Sequence, residues 1–105
     1  MQRLCFTFQL YPGKLGEYRH RHDNIWPELV EDIKRAGISN YNLFALGDDR
    51  VVAYAECEPD ASTCFERLKE SDANRRWQTW FEDTIVSLTD ESGSLNELPE
   101  LWHLD

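Results

Sequence analysis

The chain has 105 residues, 41% of them hydrophobic and 12% aromatic, and a formal net charge of −9 from 20 acidic against 11 basic side chains. That length and composition lead us to expect one globular domain over residues 1–105, and they exclude a disordered chain. A surface this acidic repels phosphate backbones and anionic lipid, so no nucleic acid and no membrane is expected as a partner, and neutral small molecules remain.

No apolar run approaches the roughly 20 residues of a membrane helix, and the N-terminal stretch lacks the apolar core of a signal peptide. Cys5, Cys57 and Cys64 are odd in number and have no Cys-x-x-Cys spacing. The expectation is a cytoplasmic protein with buried, reduced thiols.

Residues 3–10 alternate, with Leu4, Phe6, Phe8 and Leu10 on one face, which predicts a half-buried strand. Tyr11-Pro12-Gly13 ends it. Leu15, Tyr18, His22, Trp26, Leu29 and Ile33 then recur at helical spacing and form one stripe. Pro27 lacks an N–H, so the helix kinks there or a new one begins. Gly37 is a stop. Residues 38–46 and 51–57 read as a hairpin around Gly47-Asp48-Asp49-Arg50. A helix opens at Pro59-Asp60-Ala61-Ser62 and runs to about Glu70, and Ser71 caps another that runs to about Leu88. The latter buries Ala73, Trp77, Trp80 or Phe81, and Ile85. Residues 89–97 read as a polar loop and 98–104 as a last strand marked by Pro99. The order is that of an α+β, ferredoxin-like βαββαβ subunit. The second sheet face is also apolar in places, and a second copy of the chain is the economical cover for it.

The densest polar cluster is Glu17-Tyr18-Arg19-His20-Arg21-His22-Asp23. Tyr18 and His22 are four apart, hence on one helical face. An imidazole gives and takes protons near neutrality, and a phenol beside it suits proton transfer to sugar oxygens. His20 lies on another face, and Arg19 and Arg21 read as a solvated one. His20-x-His22 diverges on a helix, and no Cys-x-x-Cys or His-Glu-x-x-His spacing is present, so no metal is expected. No glycine-rich loop offers to hold a phosphate. Arg76 beside Trp77 suits a sugar: a guanidinium donates to hydroxyls while an indole stacks on a C–H face. Asn40-Tyr41-Asn42 places polar groups inside a strand, where a pocket wall needs them.

The run Glu17-Tyr18 … Arg21-His22 … Ile25-Trp26-Pro27-Glu28-Leu29 resembles the signature of the L-rhamnose mutarotase family. Asn40-Tyr41, Asp72, Arg76-Trp77 and Glu100-Leu101-Trp102-His103-Leu104 follow in matching order, so the resemblance spans the chain. It implies a dimeric α/β barrel of ferredoxin-like subunits that interconverts the α and β anomers of L-rhamnose, or a related 6-deoxy monosaccharide, with no cofactor and no metal. It also implies His22 as proton donor and Tyr18, Tyr41, Arg76 and Trp77 as sugar contacts. The chain departs from the family's Arg-Trp-Trp pattern in that Gln78 follows Trp77. Two rivals remain open on sequence: a cofactor-free oxygenase or haem-handling protein on the same barrel, and a non-catalytic sugar-binding subunit.

Overall fold

Alternation along the N-terminal segment becomes the centre of the sheet. In a computed structural model covering residues 1–105, β1 (Gln2–Leu10) buries Leu4, Phe6, Phe8 and Leu10 on one face. It pairs antiparallel with β3 (Arg50–Cys57), whose Val51, Ala53, Ala55 and Cys57 join the same buried face. The hairpin partner β2 (Ile38–Leu46) lies outside β3. The far side of β1 takes β4 (Ile85–Ser87) and β5 (Asn96–Glu97), so the main path runs β2-β3-β1-β4.

Four α-helices accompany the sheet. Pro27 starts a new helix instead of kinking one. α1 (Leu15–Asp23) ends, Trp26 is extended, and α2 (Pro27–Arg35) begins with proline at its first position. α3 (Ala61–Leu68) is capped by Asp60, which accepts from the Thr63 N–H at 2.8 Å. α4 (Asp72–Trp80) is capped by Ser71, which accepts from the Asn74 N–H at 3.0 Å. Gly37 between α2 and β2 has φ +102°, and a Cβ there would collide with the Glu58 carbonyl.

Three expectations fail, each for a physical reason. The helix from Ser71 stops at Trp80 and not near Leu88. A single 3₁₀ turn, Phe81–Asp83, follows it, and the β-branched Ile85 and Val86 go into β4. Segment 98–104 is not a strand. The free side of β1 is already taken at Gln9–Leu10 by β4 and at Phe6–Thr7 by β5, and pairing ends with the Leu98 N–H on the Cys5 carbonyl, because Pro99 has no donor. Arg21 is not solvated: it is 6% exposed, while its neighbour Arg19 does lie in solvent against Asp23. The loop after β4 is also less featureless than its composition suggests. Asp90 accepts from the Ser92 and Ser94 N–H groups, and Thr89 bridges Leu95.

Arg21 fastens α1 to the end of α4. Its guanidinium donates to both Asp83 carboxylate oxygens at 3.0 and 3.2 Å, to the Trp80 carbonyl at 2.8 Å and to Glu17 at 2.8 Å. It also lies over the rings of Trp80 and Phe81, 4.6 and 5.1 Å from their centres. Taking the Trp80 carbonyl satisfies a group that the helix end leaves free, which fits the stop at that residue. The hydrogen bond from Arg21 holds Asp83 down at about 2, from an ordinary 3.8. Because the folded value is the lower one, this pair's stabilisation is complete above pH 3.8 and is lost as pH falls through about 2. Arg21→Ala removes charge-assisted bonds and ring contacts and should cost about 2–3 kcal/mol in urea denaturation at pH 7. Asp83→Asn should destabilise at pH 7, and its deficit against the parent chain should shrink as the two are compared at pH values approaching 2.

Candidate active site

Between the buried face of the sheet and helices α1, α2 and α4 lies a cavity of about 1010 Å³. Its wall is mostly apolar: Phe6 and Phe8 from β1, Leu43 from β2, Leu29 from α2 and Phe81 beyond α4. Leu95 closes part of it from the loop after β4.

His22 enters from α1. Its Nδ1 sits 3.0 Å from the Tyr18 carbonyl oxygen, one turn earlier. A carbonyl only accepts, so Nδ1 carries the proton in the neutral ring, and Nε2 keeps a lone pair with no partner in the chain. The ring is held on three sides. Tyr18 lies against it, tilted by 35° with centroids 4.4 Å apart, and Trp77 and Phe81 each present an edge contact at 5.3 Å. Burial lowers the His22 pKa from its usual 6.5, against opposing pulls from the Tyr18 carbonyl and Asp23.

Tyr18 is buried, and desolvation raises its phenol well above the ordinary range. It is therefore a hydrogen-bonding phenol and never a phenolate near neutrality. Tyr41 reaches the same cavity through a bulge. The register of β2 slips between Ser39 and Asn42, and Asn40 takes φ +45°, a conformation asparagine tolerates. Asn40 is anchored there by its amide on Glu56 at 3.1 Å. Tyr41 stays 44% exposed as a residue, yet desolvation pushes its phenol up to about 12. Trp77 is buried on α4 and lines the cavity beside His22, in edge contact with its ring.

The structure thus brings Tyr18, His22, Tyr41 and Trp77 to one cavity. It does not bring Arg76 there. That guanidinium binds Asp72 at 3.0 Å and Glu28 at 3.1 Å and lies over Trp26 on the outer side. Trp26 and Trp80 stack on each other with planes 7° apart, and neither lines the cavity, so Trp80 adds no ring to its wall. Two features escaped sequence reasoning: the Arg21 anchor, and Asn74, which lines the cavity from α4 beside Gln78, the position where the chain departs from the family pattern. The spacing Asn74-Trp77-Gln78, three and then one residue apart, held the signal for Asn74. No group of three or more His, Cys, Asp or Glu side chains is placed to hold a metal ion.

Known proteins match this chain along its length. The family model for L-rhamnose mutarotase matches residues 3–104. The L-rhamnose mutarotase of Burkholderia cenocepacia is 37% identical over 105 residues, covering 100% of both chains, and that of Oceanobacillus iheyensis is 30% identical over 106, again covering 100% of both. The crystal structure of L-rhamnose mutarotase from Formosa agariphila superposes with a TM-score of 0.79 at 24% identity, covering 100% of both chains, which shows the shared α+β fold. With the family model and the full-length relatives in agreement, this chain belongs to the L-rhamnose mutarotase family.

Proposed function

We propose that the cavity under the sheet is where this chain carries out the reaction of its family, the interconversion of the α and β anomers of L-rhamnose, with His22 as the acid–base residue. One observation carries the assignment. His22 is the cavity-lining group that keeps a free imidazole lone pair, because burial lowers its pKa, and its other nitrogen is tied to a backbone carbonyl that fixes the tautomer. Family membership favours this reading over an oxygenase, a haem-handling protein or a sugar-binding subunit.

The chemistry needs little more. Nε2 takes the proton from the anomeric hydroxyl O1 as the C1–O5 bond breaks and C1 becomes an aldehyde. The resulting imidazolium acts as proton donor to O5, so the net transfer is one proton from O1 to O5. The aldehyde turns about C1–C2, and the same steps in reverse close the other anomer. O1 and O5 share C1, so one nitrogen can serve both. A positioned acid–base residue contributes about 10²–10⁴ in rate. Trp77 offers its indole to a C–H face of the ring, and Tyr18 and Tyr41 offer phenols that remain protonated throughout.

The strand order β2-β3-β1-β4 supports the ferredoxin-like topology. The sheet face away from the helices supports pairing of two copies. There Phe44 and Leu46 are 58% and 53% exposed, on the face that also carries Cys5, Val52 and Tyr54. Two sheets packed face to face about 10 Å apart cover such a surface. No helix is long and apolar enough to cross a membrane, and all three cysteines are free, which supports a reducing, cytoplasmic setting.

Three outcomes test this reading. His22→Ala should fold normally by circular dichroism and slow anomer exchange by about 10²-fold or more in saturation-transfer NMR with L-rhamnose, while His20→Ala, exposed and outside the cavity, should retain the parent rate. Because burial lowers the His22 pKa, the lone pair on Nε2 survives into acid: kcat/KM should hold as pH falls past 6.5 and decline only below it. An acid limb centred at or above 6.5 contradicts the assignment. Light scattering should give twice the chain mass of 12.4 kDa, and Phe44→Asp should return the monomer.

A further inference from the structure

The polar side chains of α4 divide into two sets. Asp72, Arg75, Arg76 and Thr79 are all engaged. Asp72 accepts from Arg75 and Arg76, Arg75 also donates to the Lys69 carbonyl, Arg76 to Glu28, and the Thr79 hydroxyl to the Arg75 carbonyl. Asn74 and Gln78 are the remaining two. Their side-chain amides have no partner in the chain, and they are the two polar side chains of α4 that line the cavity.

Their placement is specific. Positions four apart lie one above the other on a helix, and Trp77, three after Asn74 and next to Gln78, shares that side of α4. Two carboxamides therefore stand at the margin of an indole face. Each carboxamide both donates and accepts, as a hydroxyl does, and neither carries a charge that a neutral ligand must offset. The rest of the helix holds its charged groups outside the cavity, in ion pairs.

We propose that Asn74 and Gln78 bind ring hydroxyls of the pyranose stacked on Trp77 and so determine which hydroxyl pattern the cavity accepts. This rests on the reading of the cavity as the sugar site. The contacts fall on the ring hydroxyls at C2, C3 and C4 and not on the reacting O1 and O5. They hold substrate and transition state alike, and their loss raises KM while leaving kcat nearly unchanged. A site built to hydrogen-bond a hydroxyl also rejects an analogue that lacks it.

Asn74→Ala, Gln78→Ala and Gln78→Met, with Thr79→Ala as an outer-face control, test this by saturation-transfer NMR across a range of L-rhamnose concentrations. Circular dichroism verifies folding. Each cavity variant should raise KM about 3–10-fold with kcat within about 2-fold of the parent. The control should match the parent. Analogues lacking the C2, C3 or C4 hydroxyl complete the test: at least one should bind the parent more weakly, and should lose nothing further on one of the substitutions. Folded variants with the parent's KM for L-rhamnose, or equal losses for every analogue, overturn the proposal while leaving the cavity reading intact. A parent chain that gives no exchange enhancement with L-rhamnose overturns both.

Discussion

The geometry of the site depends on one buried guanidinium. His22 and Tyr18 sit on α1, while Trp77 and Phe81 sit on α4 and just beyond it, 55 or more residues later in the chain. Nothing in either helix fixes their separation. Arg21, adjacent to His22, spans the gap by binding the last carbonyl of α4 and the Asp83 carboxylate in the turn that follows. Its plane also covers Trp80 and Phe81, so the clamp is both polar and packed. An arginine suits this place better than a lysine, because a planar fork meets a carboxylate at two points and a ring face at once.

Within that clamp His22 has little freedom. Tyr18 is one helical turn away, so the close approach of its ring follows from helix geometry. The two edge contacts from Trp77 and Phe81 follow from the clamp. The bond from Nδ1 to the Tyr18 carbonyl then fixes the ring's tautomer and leaves the lone pair on Nε2. The general-base role proposed for His22 needs this kind of restraint, because a nitrogen that must reach two oxygens on one carbon tolerates little error in position.

Local features of the fold were legible because each has a local cause. Leu4, Phe6, Phe8 and Leu10 alternate because β1 buries one face, and Pro27, Asp60 and Ser71 mark helix starts through their own side chains or missing N–H. What failed has distant causes. Trp77, Phe81 and Ile85 keep helical spacing, so the stop at Trp80 could not be read from them; it depends on Arg21, 59 residues earlier. The same separation hides Arg21 itself, since a charged helical residue reads as solvated until its partners are known. In the site, Tyr18, His22, Tyr41 and Trp77 stood out by residue type and by family resemblance. Gln78 stood out only as a departure from the family pattern, and Asn74 not at all, because an unpaired amide on a helix looks like any surface residue until the cavity is seen beside it.

The charge of −9 raises a question that the site answers. Negative charge near an imidazole raises its pKa, and a chain this acidic would be expected to hold a histidine protonated. His22 shifts the other way. Asp83 and Glu17 pair with Arg21, and Glu28 and Asp72 with Arg76, and none of the four is among the causes that shift the ring. Asp23 alone acts on the ring appreciably, and its pull is smaller than the desolvation by Tyr18, Trp77 and Phe81 packed around it. Burial outweighs charge, and the ring rests as a neutral base. That is the form the proposed proton transfer needs to begin on a neutral sugar hydroxyl.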